Sequence, residues 1–141
     1  MQTRLTPASG TATDARFSKN NTVFFIGTTT SMIYAYNSTS PYTLLSTITG
    51  GIGTGSVQID TSTDGNYLLI CGGNTNTVKV YSFLTSSFIT SISFSGAQTC
   101  KFAPDNKFVV SATTSSTVTY YNLDGTQVWT QSYNGCLDLD I

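Results

Sequence analysis

Two segments decide the reading: ARFSKNNTVFFIGTTTSMIYAYN, residues 15–37, and CKFAPDNKFVVSATTSSTVTYYN, residues 100–122, align without a gap. Phe17 meets Phe102, Asn21 meets Asn106, Thr28-Thr29 meet Thr113-Thr114, and Tyr36-Asn37 meet Tyr121-Asn122. Between them lies a third copy, VQIDTSTDGNYLLICGGNTNTVKVYS at residues 57–82, which needs small insertions and sets Tyr81 in the place of Tyr36 and Tyr121. The three tyrosines are 45 and 40 residues apart. Self-similarity at such a period marks a stack of one supersecondary unit.

Each copy divides into the same four pieces. A short alternating strand comes first, in which Ala15 and Phe17, Val57 and Ile59, and Cys100 and Phe102 share one face. A turn follows at Lys19-Asn20-Asn21, Asp64-Gly65 or Pro104-Asp105-Asn106. Asn, Asp and Gly accept positive φ there, and Pro presets the φ of a turn's second residue. The second strand, VFFI, YLLI or FVV, is almost continuously apolar, as expected of a strand covered on both faces. A third strand (MIYAY, TVKVY, TVTYY) alternates again, and an outer fourth (LLSTIT, FITSIS, QVWTQS) closes the unit. Four antiparallel strands on a period of about 40–45 residues describe a propeller blade.

Such a sheet is apolar on both faces and buries neither alone, so copies must cover one another. Each large apolar side chain covered in this way contributes about 1.5–3 kcal/mol. Stacking is therefore the expected source of stability.

Composition narrows the function. Charged residues are 9% of the 141, against about 25% in typical domains. Their place is taken by 26 Thr and 18 Ser. The six Lys and Arg form no run and the formal charge is -1, which argues against nucleic acid as a partner. No apolar stretch is long enough for a membrane span, and residues 1–10 lack the apolar core of a leader. The expectation is a cytoplasmic chain, or an extracellular one if its natural N-terminus lies upstream. Cys71, Cys100 and Cys136 form no C-x-x-C pair and no histidine is present. They read as small buried hydrophobes in a reducing compartment, with no structural zinc site.

CKFAPDNKFVVSA followed by TVTYYN resembles the strand, Pro-Asp-Gly turn, strand and closing aromatic-polar pair of WD-repeat β-propellers. The middle copy also resembles YVTN-type surface propellers, and the likeness spans about residues 13–141. Tyr-Asn or Tyr-Ser stands at 36-37, 81-82 and 121-122 where the family has Trp-Asp, and the family's Gly-His pair is missing. Thr30, Thr75 and Ser115 stand where the resemblance puts a turn aspartate, which removes the family's buried polar tetrad. Strand pairing and apolar packing alone are then expected to hold the blades.

Catalysis finds little support. A Ser or Cys nucleophile has no histidine base, and the seven Asp are scattered, with Asp64, Asp105 and Asp124 at predicted turns where such residues cap backbone. GGIGTG, residues 50–55, follows an outer strand and precedes an inner one, where a dinucleotide loop would lead into a helix, and reads as a flexible inter-blade link. In GCLDLDI, residues 135–141, Asp138 and Asp140 alternate with Leu137, Leu139 and Ile141, which reads as a first inner strand of a further blade and not as a calcium loop. No metal and no cofactor is expected.

The resemblance implies docking on the rim formed by the loops between strands two and three and by the inter-blade links. The candidate residues are Thr28, Thr29 and Thr30, Asn74 and Asn76, and Thr113, Thr114 and Ser115. Trp129 is a candidate interface aromatic or a cover for its own blade. The chain thus reads as all-β, with an N-terminal segment at 1–12 as the remnant of a preceding outer strand. Blades follow at 13–52, 53–95 and 96–134, and the first strand of another at 135–141. Propellers usually close with four to eight blades, so the expectation is a fragment of a longer propeller or half of a self-associating one. The expected function is a non-enzymatic protein–protein interaction scaffold. The alternatives are part of a propeller hydrolase or quinoprotein, or a surface YVTN-like binding or adhesion module.

Overall fold

Twelve antiparallel strands arise where alternation and β-branched or aromatic residues were densest, in a computed structural model that describes residues 5–112, 116–134 and 139–140. They form three four-stranded meanders. The first contains β1 (Ala12–Phe17), β2 (Val23–Thr28), β3 (Met32–Asn37) and β4 (Leu44–Thr49). The second contains β5 (Val57–Thr61), β6 (Tyr67–Gly72), β7 (Thr77–Ser82) and β8 (Ser87–Ser93). The third contains β9 (Ala97–Phe102), β10 (Phe108–Ala112), β11 (Thr117–Tyr121) and β12 (Gln127–Ser132). The expected all-β blade architecture is borne out, and strands two and three of each blade carry most of the buried side chains.

The core is two sandwiched layers. Between blades 1 and 2 pack Phe25, Ile33, Ile48, Ile59, Leu68 and Ile70, and between blades 2 and 3 pack Leu69, Val78, Val80, Phe102, Phe108 and Val110. Leu68 and Ile70 face one way while Leu69 and Cys71 face the other, which explains why YLLIC carries no polar residue. An aromatic row crosses the leading face of blades 1 and 3: Phe17, Phe24 and Tyr36, continued by Leu44, in the first, and Phe102, Phe108 and Tyr121 in the third. This register places Phe108 opposite Phe102 as Phe24 lies opposite Phe17, so the ungapped alignment is off by one residue through the second strand. The β9–β10 turn is one residue shorter than β1–β2 and the next loop one longer, and the two differences cancel in the sequence.

Two expectations need correction. Cys71 and Cys100 are not independent buried thiols: they are bonded to each other, joining β6 to β9 across the second junction with Cα atoms 6.3 Å apart. Their sites face one another in adjacent sheets, and the same sites in the first junction hold Gly27 and Ile59, where a Cβ on Gly27 would lie 3.6 Å from Ile59 Cγ2. Bonded to each other, these cysteines no longer point to a reducing compartment.

Nor do strand pairing and apolar packing alone join the blades. Thr13 Oγ1 accepts from Val57 N at 3.1 Å and donates to Val57 O at 2.8 Å. Asp14 Oδ2 accepts from Ile59 N at 2.9 Å, and Arg16 Nε donates to Ile59 O at 3.2 Å. In the next junction Asp60, itself buried, accepts from Phe102 N at 2.7 Å. Polar side chains on one inner strand thus satisfy backbone groups of the next, and bonds to a charged partner contribute about 1.5–3 kcal/mol each. The residues 139 and 140 of the predicted further strand lie outside any strand, and the rest of that segment, with Cys136, lies outside the described residues.

Candidate functional site

The upper rim is built from the loops between second and third strands together with the links between blades. Each of these loops ends on a residue at positive φ immediately before its third strand: Ser31 at 61°, Asn76 at 51° and Ser116 at 49°. That conformation costs a non-glycine residue roughly 1–2 kcal/mol, so it needs support from its surroundings. Support comes from the residue just beyond each fourth strand, which donates to the same carbonyl: Gly50 N to Ser31 O at 2.6 Å, Phe94 N to Asn76 O at 2.7 Å and Tyr133 N to Ser116 O at 2.7 Å. Side chains reinforce two of the corners. Ser31 Oγ accepts from Ile52 N at 2.9 Å, and Asn76 Oδ1 accepts from Gly96 N at 3.0 Å.

The link Gly50–Gly55 is therefore not the flexible connection expected of GGIGTG. Ile52 is fully buried beneath it. Gly55 N donates to Thr29 O at 2.9 Å, Thr54 N to Asn74 Oδ1 at 3.2 Å, and Asn74 Nδ2 to Thr54 Oγ1 at 3.2 Å. The segment straps blade 1 to blade 2 across the rim.

The structure brings Thr29, Thr30, Asn74 and Asn76 onto this one edge but gives them internal duties. Thr29 Oγ1 accepts from Thr11 N at 3.0 Å, and Thr30 Oγ1 lies 3.3 Å from Ser9 Oγ. Thr28 is removed from the surface altogether: it is fully buried and donates to Met32 O at 3.0 Å. Thr113, Thr114 and Ser115 lie outside the described residues. Of the three positive-φ corners, Asn76 is among the candidates read from the sequence, whereas Ser31 and Ser116 are not; their place one residue ahead of the third strand was the available signal.

Trp129 is 44% exposed on β12 and stands opposite Tyr120, on the face of blade 3 turned away from blade 2. Tyr120 donates its hydroxyl to Asp105 Oδ1 at 3.2 Å. Burial, then that bond, holds the phenol above its usual range. The turn carboxylates do cap backbone two residues on: Asn66 N to Asp64 Oδ1 at 3.0 Å, Lys107 N to Asp105 Oδ1 at 3.2 Å and Thr126 N to Asp124 Oδ1 at 2.9 Å. The Lys107 ammonium and these bonds hold the Asp105 carboxyl below the carboxylate range, and the Thr126 N–H does the same for Asp124. Among the described residues no cluster of three metal-ligating side chains forms, and no helix is long and apolar enough to cross a membrane.

No family model matches the chain, and no curated protein matches it either. Solved structures do. The WD40 repeats of RRP9 superpose with a TM-score of 0.77 at 14% identity, over 92% of this chain and 41% of that one. The Swd1 β-propeller domain of Myceliophteria thermophila gives 0.73 at 13%, over 86% and 39%. Hydrazine synthase of Kuenenia stuttgartiensis gives 0.75 at 12%, over 91% and 37%. The chain spans about two fifths of the length of these neighbours. With three antiparallel four-stranded sheets stacked face to face and such neighbours, the fold is that of WD-repeat β-propeller blades.

Proposed function

We propose that the chain is a non-enzymatic protein-interaction module that engages other proteins through its upper rim. The observation that supports this most is the strapped rim itself: Gly50–Gly55 and the loops it crosses present hydroxyl, amide and backbone groups in a fixed array, with the Lys79 ammonium beside Gly51. Preorganised loops on a rigid sheet scaffold bind without a large ordering cost. The carboxylates within the blades support the non-enzymatic reading, since Asp14, Asp60, Asp64, Asp105 and Asp124 all hold backbone N–H groups. Hydrazine synthase is an enzyme by name, but its likeness concerns fold only.

The test compares proteins recovered on immobilised wild-type chain with those recovered on a Thr30→Arg/Asn74→Arg double variant of unchanged circular dichroism. Loss of the same specific proteins from the variant is expected. Identical recovery on both sinks the rim as the docking surface.

A further inference from the structure

The two inter-blade junctions are built from equivalent positions, yet one is filled and the other is hollow. On the lower rim, formed by the turns between first and second strands and between third and fourth, Tyr67 and Leu123 both pack against the buried cluster of the second junction that holds Leu69 and Val80. Thr90 then seals it by donating to Leu123 O at 2.6 Å, and Asn106 Nδ2 bridges to Asp64 Oδ2 at 2.8 Å. The register places Val23 where Tyr67 stands, since Val23 faces Asn37 as Tyr67 faces Ser82. It likewise places Ala35 for Val80 and Ser46 for Thr90. The first junction lacks the phenol ring, two methyls and the sealing hydroxyl bond, and has Phe25 and Phe83, whose flat rings line the space without closing it, in place of Leu69 and Leu123.

What remains is a cleft of about 280 Å³ with Phe25, Ala35, Val23 and Phe83 along its walls and floor. The Phe25 and Phe83 rings stack at 5.5 Å between centroids. Leu45, 54% exposed, stands at the mouth beside Asn20 and Ser46. Asn20 Oδ1 is committed to Ser18, to Thr22 N and to Thr22 Oγ1, which turns its amide nitrogen to solvent. No side chain that lines the cleft is charged. The volume lies just under the usual range for small-molecule sites, about 300–1,000 Å³, and suits one large side chain.

We infer that this cleft is a binding site for an aromatic side chain of a partner polypeptide, its backbone lying across Asn20 and Ser46. The occupant is identified within the molecule: at the equivalent place in the second junction the chain's own Tyr67 ring fills the space. An uncharged apolar wall with amide and hydroxyl groups at the lip matches an aromatic residue flanked by peptide groups, and excludes a charged head group. The site lies on the opposite edge from the strapped rim and does not depend on that rim's function.

The probe is N-acetyl-tyrosinamide, titrated into ¹⁵N-labelled full chain, with N-acetyl-glycinamide as the control. Saturable shifts at the amides of Val23, Phe25, Ala35 and Ser46 are expected with the tyrosine probe only. Val23→Tyr, which restores the filled junction, weakens the probe at least tenfold and raises the thermal midpoint. Leu45→Lys, an exposed change at the mouth, weakens it severalfold without altering the fold, and serves if Val23→Tyr fails to fold. Thr30→Arg/Asn74→Arg leaves probe binding intact. Absence of saturable shifts, equal binding by Leu45→Lys, or equal binding by a folded Val23→Tyr overturns the inference. So does concentration dependence of the same amides without probe, which would make a second copy of this chain the occupant.

Discussion

At Cys71 and Cys100, two side chains too far apart in sequence to suggest a pair meet because the sheets that carry them stack. The bond closes a separation of 29 residues, for which the chain-entropy account gives about 3–4 kcal/mol. Cys71→Ser/Cys100→Ser is expected to lose a stability of that order in urea unfolding, and an unchanged midpoint would show that the pair contributes nothing. Asp60 makes the complementary case. Replacing it by Ala strands the buried Phe102 N–H, with an expected loss of about 1–3 kcal/mol, whereas the exposed Lys19→Ala stays within about 0.5 kcal/mol. Neither role was legible in the sequence. Both depend on which residue of the next blade lies opposite, and a strand's own pattern shows which face a residue occupies but not its partner there.

Among elements, strands were legible and loops were not. The alternation of TVKVYS and the apolar run YLLI set β7 and β6 because burial on one face or both leaves a period in the sequence. Loops leave none: the compensating length changes around β10 hid a register shift, and the repeated glycines of Gly50–Gly55 concealed a strap. The β5–β6 turn offers a pH test. Burial raises the Asp64 carboxyl, but hydrogen bonds from Ser62, Asn66 and Asn106 outweigh it and hold its pKa below that of a free aspartate. A depressed carboxylate adds stability above its unfolded pKa and loses it as pH falls through the folded one. Wild type should therefore lose thermal stability more steeply than Asp64→Asn as pH drops below about 4. Parallel curves would remove Asp64 from the acid response.

For the whole molecule, the two outer sheet faces decide behaviour. Blade 1 leaves Phe17 59% exposed, in a position that is buried as Thr61 on blade 2 and as Phe102 on blade 3, and Leu44, 51% exposed, extends the same face. Exposed apolar faces of this kind favour association. Sedimentation of the chain is expected to depend on concentration, and Phe17→Asp/Leu44→Asp to shift it toward monomer. A wild-type chain that stays monomeric throughout would show that these faces need no cover.

The charged links between inner strands also give the stack a direction. Arg16 and Asp14 reach forward to Ile59, Asp60 reaches forward to Phe102, and Lys101 pairs with Val109 in β10 as Arg16 does with Phe25 and Asp60 with Leu69. A molecule laced in this way has a head and a tail. A further sheet that joined through the same contacts would add in one direction only, and would either close a ring or extend a filament.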